Sequence, residues 1–311
     1  MQQKGVVMVT GASGFVGRAV LRALRAQHRP VVAIGTPFDT GADDGIAWDK
    51  FDLLDPAATR LAMARHRPDM LIHTAWARTR PGGLWNAEDN LAWTDAGMDL
   101  FESFWAEGGQ QIVACGSCAE YGRSETPCRE DVTPIAPTSI YGRAKAELAT
   151  RALKRADALG MQLAWGRLFY LYGPHEARSR LVASVIDRLL AGKAAETTQG
   201  LVERDFSLSD DVGNGLVALG DAGAGGAFNI ASGEAIALRD LTRKVGALMD
   251  AEDRLKIGAL EDRPNEAPLI AADMAKTHAE TGWQVKTPLE EGLARTIAWR
   301  RAHPLSNSEA R

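Results

Sequence analysis

The feature that most constrains the fold is a regular alternation of short β-branched runs with longer segments of helical apolar spacing. The predicted strands cover residues 6–10, 31–34, 70–73, 111–115 and 163–168. The predicted helices cover residues 18–26, 57–65, 90–105 and 144–159. Parallel strands require crossover connections, and right-handed crossovers place helices on both faces of one sheet. The alternation therefore predicts an α/β protein with a doubly wound parallel sheet.

Composition excludes several classes of protein. The chain has 311 residues, enough for a large core, and a net charge of −4, which gives no basic excess for binding nucleic acid. No apolar run approaches the roughly 20 residues that cross a bilayer. Cys115, Cys118 and Cys128 are an odd number of cysteines, which fits a reducing compartment. We therefore expect a cytoplasmic protein with no nucleic-acid or membrane partner and no metal.

A glycine-rich loop follows the first predicted strand and opens a predicted helix. Residues 10–17 read Thr-Gly-Ala-Ser-Gly-Phe-Val-Gly. A helix N-terminus offers N–H donors and a positive dipole end, and glycines let a pyrophosphate approach the backbone closely. The loop thus predicts a dinucleotide site. Its predicted contacts are Gly11, Ser13, Gly14, Phe15, Val16 and Gly17.

The alternation becomes irregular after about residue 173, which predicts two lobes. We assign residues 1–172 to a dinucleotide-binding domain, to which a segment of about 205–232 returns. Residues 173–303 are assigned mainly to a smaller, mixed α/β lobe that binds substrate, because glycines and prolines interrupt it. The polar tail at 304–311 is predicted to be disordered.

Tyr141 and Lys145 stand one helical turn apart, so their side chains share a helix face. Ser117 follows the strand at 111–115, where open α/β sheets gather their ligand-binding residues. A free phenol has a pKa of about 10, which a neighbouring ammonium and an oxidised nicotinamide would lower. We predict that Tyr141 exchanges a proton with a carbonyl or alcohol while Ser117 hydrogen-bonds the same oxygen.

Together these motifs resemble the short-chain dehydrogenase/reductase superfamily, and the wording of the glycine loop resembles its extended, sugar-nucleotide branch. The resemblance extends over about residues 5–302. It implies a Rossmann-type domain, a nicotinamide dinucleotide, a nucleotide-diphosphate sugar as substrate, and a homodimer formed through two helices. Further cofactor contacts that it implies are Asp52, Leu53, Thr74, Ala75, Trp76, Asn90, Tyr141, Lys145 and Leu168.

The end of the second strand bears on the choice between NAD and NADP. Members of the branch that use NAD carry an acidic residue there for the adenosine ribose, but this chain has Gly35. No carboxylate would then repel a 2′-phosphate, and Arg18 and Thr36 could help to bind it. NADP is therefore favoured, and NAD is possible.

The resemblance also implies substrate contacts. Arg204 and Arg263 match arginines that bind the nucleotide diphosphate, although either could form a salt bridge between lobes. Tyr170 replaces an asparagine that commonly contacts the diphosphate, and His175 matches a histidine of the GDP-fucose synthases or is an exposed loop residue. The other candidates are Arg78, Ser117, Cys118 and Ala119.

The segment after the fifth predicted strand narrows the reaction. The sugar 4,6-dehydratases of the branch carry Thr-Asp-Glu where this chain has Ser117, Cys118 and Ala119, so the carboxylates for elimination are absent. The favoured reaction is NADPH-dependent reduction of a nucleotide-linked 4-keto-6-deoxy sugar. The alternatives are an NAD-dependent nucleotide-sugar 4-epimerase and a redox-sensing dinucleotide-binding protein.

Overall fold

A computed structural model of the chain describes residues 5–38, 46–77, 84–264 and 266–304. The strands are β1 (Val7–Thr10), β2 (Val31–Ile34), β3 (Ile46–Asp49), β4 (Met70–His73), β5 (Gln111–Ser117), β6 (Gln162–Leu168), β7 (Tyr170–Tyr172), β8 (Ala195–Thr197), β9 (Glu203–Leu208), β10 (Gly226–Ile230), β11 (Ala235–Ala237), β12 (Leu255–Ile257) and β13 (Leu269–Ile270). The helices are α1 (Phe15–Ala26), α2 (Pro56–His66), α3 (Asp89–Ala106), α4 (Ile140–Leu159), α5 (Leu181–Leu190), α6 (Ser209–Asp221), α7 (Leu238–Leu248), α8 (Ala275–Thr281) and α9 (Leu289–Ala302).

Seven strands form one parallel sheet in the order β10-β6-β5-β4-β1-β2-β3. The strand order reverses between β1 and β4, and ligands of open α/β sheets bind at the carboxyl ends of strands beside such a reversal. The prediction of a doubly wound parallel sheet is confirmed. Strand β5 runs two residues further than predicted, so Ser117 is its last residue.

Two hydrophobic clusters cover the two faces of this sheet. Val20 on α1 and Leu216 on α6 belong to one cluster, together with alternate residues of β1. Phe101 on α3 and Leu148 on α4 belong to the other. Both faces of the strands are therefore buried, which is why β1 is apolar at Val7, Met8 and Val9 without alternation.

A smaller sheet is built around β9, which pairs with β7, β11 and β13. Helices α5, α7 and α9 contribute to its core through residues such as Ile186, Leu241 and Leu293. The segment of about 205–232, which was predicted to return to the dinucleotide-binding domain, is divided between the two sheets. Strand β9 lies in the small sheet, whereas β10 joins the large sheet beside β6. The assignment of the two lobes to cofactor and substrate stays a prediction.

Some predictions concern residues outside the described ranges. Arg78 lies in 78–83, and the predicted tail lies in 305–311 apart from Pro304. Within the described part of the chain, no helix is both long enough and apolar enough to cross a bilayer.

Candidate active site

The glycine loop joins β1 to α1 at the carboxyl edge of the large sheet. Gly11 has a φ of +68°, and a Cβ there would lie 2.7 Å from the backbone of Ala75. A Cβ on Gly17 would lie 2.2 Å from the carbonyl oxygen of Gly11, so this glycine lets α1 pack on the loop. Helix α1 begins after the exposed Gly14 with no side-chain cap, which leaves its first-turn N–H groups available. This cradle fits a dinucleotide pyrophosphate.

Arg18 and Phe38 flank the end of β2. The guanidinium carbon of Arg18 lies 3.5 Å from the centroid of the Phe38 ring, and its Nε donates to the carbonyl of Ser13 at 3.0 Å. Thr36 is exposed, and Gly35 donates its N–H to the carbonyl of Asp49 on β3. His66 holds the Asp49 carboxylate at 2.7 Å. The end of β2 therefore combines a nearby arginine with no acidic residue at position 35 or 36.

Asp52 and Leu53 lie in the turn between β3 and α2. The Asp52 carboxylate accepts the N–H of Leu54 at 2.9 Å, which stabilises the turn. The Leu53 side chain is buried in the core cluster beneath α3. These contacts do not test the predicted contact of Asp52 and Leu53 with adenine.

Thr74, Ala75 and Leu168 lie where strands of the large sheet end. The Thr74 hydroxyl donates to the carbonyl of Thr10 at 2.7 Å, which joins the segments after β4 and β1. Ala75 is buried against the glycine loop, and Leu168 is the register partner of Ser117. All three therefore border the edge that the glycine loop occupies.

The structure brings Ser117, Tyr141 and Lys145 together beside the end of β5. Helix α4 begins at Ile140, capped by the Ser139 hydroxyl, so Tyr141 stands in its first turn. The Ser117 hydroxyl lies within hydrogen-bonding reach of the Tyr141 phenol. One turn further along α4, the Lys145 ammonium donates to the carbonyl of Cys115 at 2.7 Å. A phenol, a hydroxyl and an ammonium thus share one site.

Burial controls the titration of this group. It raises the pKa of Tyr141 above its ordinary value, and the hydrogen bond with Ser117 opposes the rise only in part. Burial also lowers the pKa of Lys145 to about 8. From the sequence we expect a lowered pKa of the Tyr141 phenol when an oxidised cofactor is bound. For the protein alone, removal from water is the larger effect, so the Tyr141 phenol is neutral at neutral pH.

Trp76 and Asn90 connect this group to the start of α3. The Lys145 ammonium lies 3.6 Å from the Trp76 ring centroid. The indole N–H donates to the Asn90 side-chain oxygen at 2.8 Å. The Asn90 amide nitrogen donates to the carbonyls of Leu84 and Ala87. Both the oxygen and the nitrogen of the Asn90 side-chain amide are therefore hydrogen-bonded within the protein.

The sequence reasoning missed a buried network built on Glu120. This side chain is fully buried and accepts hydrogen bonds from the Ser117 N–H at 2.7 Å and the Trp165 indole N–H at 3.0 Å. Its second oxygen accepts from Nε of the buried Arg167 at 2.8 Å. The sequence offers one signal for this network. A glutamate lies just after the end of a buried strand, and an arginine lies inside strand β6.

Cys118 and Ala119 follow Ser117 and are partly exposed. The pKa of the Cys118 thiol is raised to about 12, chiefly by burial, so the thiol is neutral. Cys118 and Cys128 are both free. Across the described ranges, no group of three or more His, Cys, Asp or Glu side chains could hold a metal ion.

The predicted substrate residues fall in different surroundings. Arg204 is fully buried, and its guanidinium donates to the Tyr170 hydroxyl at 3.1 Å. Its Nη2 lies 3.0 Å from a carboxylate oxygen of Glu266, but this contact does not have the geometry of a hydrogen bond. Arg263 is exposed.

His175 lies against helix α9. Its ring centroid is 4.5 Å from that of Trp299. His175 is exposed overall, but partial burial of its ring, followed by the charges of Arg18 and Arg22, lowers its pKa to about 4. These contacts place the neutral imidazole near α1, and its predicted role toward substrate stays untested.

Comparisons with known proteins agree with this architecture. The model of a family described as the NAD dependent epimerase/dehydratase family matches residues 7–231. A dTDP-glucose 4,6-dehydratase of Streptomyces griseus is 26% identical, with 96% of this chain and 94% of the relative covered. A dTDP-L-rhamnose 4-epimerase of Burkholderia thailandensis is 26% identical, with 94% of each chain covered.

Solved structures extend the similarity to the fold. The structure of MoeE5 in complex with UDP-glucuronic acid and NAD is 25% identical, with a TM-score of 0.81 over 96% of this chain and 100% of that one. The UDP-glucose 4-epimerase of Thermotoga maritima is 20% identical, with a TM-score of 0.85 over 96% of this chain and 99% of the other, and shows the shared fold alone.

Proposed function

Because the chain belongs to the NAD dependent epimerase/dehydratase family, we propose that it reduces a nucleotide-linked 4-keto-6-deoxy sugar at C4 with a nicotinamide dinucleotide. The glycine loop and the first turn of α1 would hold the pyrophosphate. The bound dinucleotide would supply the hydride. Side chains at the end of β5 and the start of α4 would transfer the proton and stabilise the developing charge.

Tyr141 gives its phenolic proton to the sugar oxygen as C4 is reduced. Ser117, within reach of the same phenol, donates a hydrogen bond to that oxygen and stabilises the negative charge that develops on it. The Lys145 ammonium stabilises the phenolate that remains after proton transfer. Solvent then returns a proton to Tyr141, which completes the cycle.

One observation carries the choice of redox chemistry over dehydration. The two positions at which the related dehydratases place carboxylates hold Cys118 and Ala119, and neither side chain can remove or deliver a proton at neutral pH. Glu120 cannot substitute, because it is buried in its network with Arg167 and Trp165. A site with hydride and proton transfer but without elimination fits a reductase.

The cofactor proposal combines two lines of support. MoeE5 binds NAD, which favours NAD over the NADP that Gly35 suggested. The end of β2 offers no carboxylate to exclude a 2′-phosphate, and Arg18 lies beside it. We therefore propose that the site uses NADH and also accepts NADPH.

A buried arginine supports a nucleotide-diphosphate sugar as substrate. The Nη2 of Arg204 lies 3.0 Å from the Glu266 carboxylate but makes no hydrogen bond, and a diphosphate oxygen could take the place of this carboxylate. Tyr170 holds the guanidinium from the other side. Dimerisation through α3 and α4 remains a proposal, and the exposed Leu91 on α3 is an apolar residue available for it.

A 4-epimerase is the second candidate. It is favoured by the similarity to dTDP-L-rhamnose 4-epimerase over 94% of both chains. Such an enzyme would retain NAD and return the hydride to the opposite face of the sugar, with the same three side chains handling the proton.

One experiment separates the two candidates. The purified protein is examined for retained nucleotide by mass spectrometry. It is then mixed with NADH or NADPH and a panel of nucleotide-linked 4-keto-6-deoxy sugars and, separately and without added cofactor, with nucleotide sugars that carry a 4-hydroxyl. Net oxidation of the reduced cofactor with formation of the alcohol supports the reductase. Tightly retained NAD with interconversion of two sugars, and no net consumption of cofactor, would overturn it in favour of the epimerase.

A further inference from the structure

The Lys145 ammonium lies in an unusual environment for a cation. Its side chain is only 3% exposed, and among the residues that the structure describes it donates to one acceptor, the neutral Cys115 carbonyl at 2.7 Å. A buried charge needs compensation for the water that it has lost. One carbonyl dipole is a weak substitute for a hydration shell.

Trp76 supplies the second contact. The ammonium lies 3.6 Å from the centroid of its ring, well inside the distance of about 6 Å over which an aromatic face attracts a cation. Indole has the strongest such attraction among the aromatic side chains, and exclusion of water increases it. Trp165 lies further away, at 5.9 Å.

Hydrogen bonds fix the plane of this indole. Its N–H donates to Asn90, whose amide nitrogen donates to the carbonyls of Leu84 at 2.7 Å and Ala87 at 2.8 Å. Asn90 is completely buried. The ring therefore cannot turn its edge toward Lys145 without breaking the bond to Asn90.

The other titratable groups around Lys145 provide little charge. Burial, followed by the charge of Lys145, lowers the pKa of His73 on β4 to about 3, and burial raises the pKa of the Cys115 thiol on β5 to about 12, so both are neutral. The Tyr141 phenol on α4 is neutral as well. Glu120 acts on Lys145 only from within its ion pair with Arg167. The indole face is thus a major part of what favours the ammonium.

We propose that Trp76 is a positioning residue that keeps Lys145 charged through its ring face, with Asn90 as the anchor that holds the ring. The importance of the charged form for turnover rests on the proposed function, whereas the protonation of Lys145 does not. Because burial already brings the pKa of Lys145 to about 8, loss of this contact would leave the amine partly neutral under ordinary assay conditions.

The test titrates Lys145 directly, by NMR of protein labelled with ¹³C and ¹⁵N in lysine, without sugar or cofactor. The Lys145→Met variant assigns its signal. Trp76→Leu should lower the pKa of Lys145 by about one pH unit, and Trp76→Phe, which keeps a weaker ring face, by less. Trp93→Leu is the matched control, because Trp93 packs on Trp76 at 6.1 Å and no contact joins it to the ammonium in the described structure.

An unchanged pKa in both Trp76 variants would overturn the proposal, and so would an equal shift in the Trp93 control. If Trp76→Leu does not fold, Trp76→Phe alone tests the proposal. A lowered pKa of Lys145 in that variant supports it, and an unchanged pKa overturns it. The alkaline limb of the pH–rate profile should move to lower pH together with the NMR titration of Lys145. A shift in the NMR titration with no activity on any sugar would refute the proposed function and leave this inference standing.

Discussion

Replacement of Glu120 by glutamine tests whether the buried network supports Ser117 as described. The carboxylate accepts hydrogen bonds from three donors, namely the Ser117 N–H, the Trp165 indole and the Arg167 guanidinium. Glutamine keeps one oxygen, brings two N–H donors, and removes the charge that balances Arg167, whose side chain is 7% exposed. Loss of one partner of a buried ion pair costs about 3–5 kcal/mol.

We therefore expect Glu120→Gln to lower the free energy of unfolding by about 3–5 kcal/mol. The melting temperature should fall by roughly 10 °C, and kcat should fall because the one remaining oxygen cannot accept from both the Ser117 N–H and Arg167 as the two carboxylate oxygens do. Thermal and urea unfolding measure the first effect. The matched control is Glu102→Gln, since Glu102 pairs with Arg155 on the surface, where solvent screens the pair, and its replacement should cost far less stability.

We also expect strong coupling between Glu120 and Arg167 within the network. The double variant Glu120→Gln with Arg167→Met should be less destabilised than the sum of the single variants, by about 1–3 kcal/mol, because it no longer buries an unpaired charge. A loss of stability in Glu120→Gln no larger than in the Glu102 control would refute the argument, as would simple additivity.

Three further predictions concern catalysis and cofactor. Tyr141→Phe should lower kcat by about 10²–10⁴-fold while calorimetry finds dinucleotide affinity close to that of the wild type; retained turnover would exclude Tyr141 as the acid. Activity should fall as pH rises through about 8, because Lys145 then loses its proton, and a rate that is flat up to pH 10 would contradict this. Thr36→Glu should weaken NADPH about tenfold relative to NADH, since the exposed carboxylate would repel a 2′-phosphate; an unchanged KM ratio would place the adenosine end elsewhere.

The sequence predicted the features that depend on spacing along the chain. Gly11, Gly14 and Gly17 lie between a strand and a helix, and Tyr141 and Lys145 lie one turn apart, so local geometry largely determines them. The parallel sheet followed from the alternation of strands and helices, and Ser117 followed from its place after a strand.

The parts that escaped prediction depend on contacts between distant segments. Glu120 and Arg167 are 47 residues apart, and no local pattern announces that they form an ion pair. The packing of His175 on Trp299 likewise joins two ends of the small lobe. The preference for NADP rested on Gly35, with Arg18 and Thr36 near it, whereas the comparisons favour NAD.

Transfer of deuterium from a cofactor labelled at the reactive nicotinamide carbon tests the central claim most directly. The protein is incubated with NADH deuterated at both C4 positions of the nicotinamide and with a nucleotide-linked 4-keto-6-deoxy sugar, and the product is analysed by mass spectrometry and NMR. The account predicts deuterium on C4 of the product sugar from the wild type and almost none from Tyr141→Phe. A product formed without deuterium at C4, or equal transfer by both proteins, would contradict it.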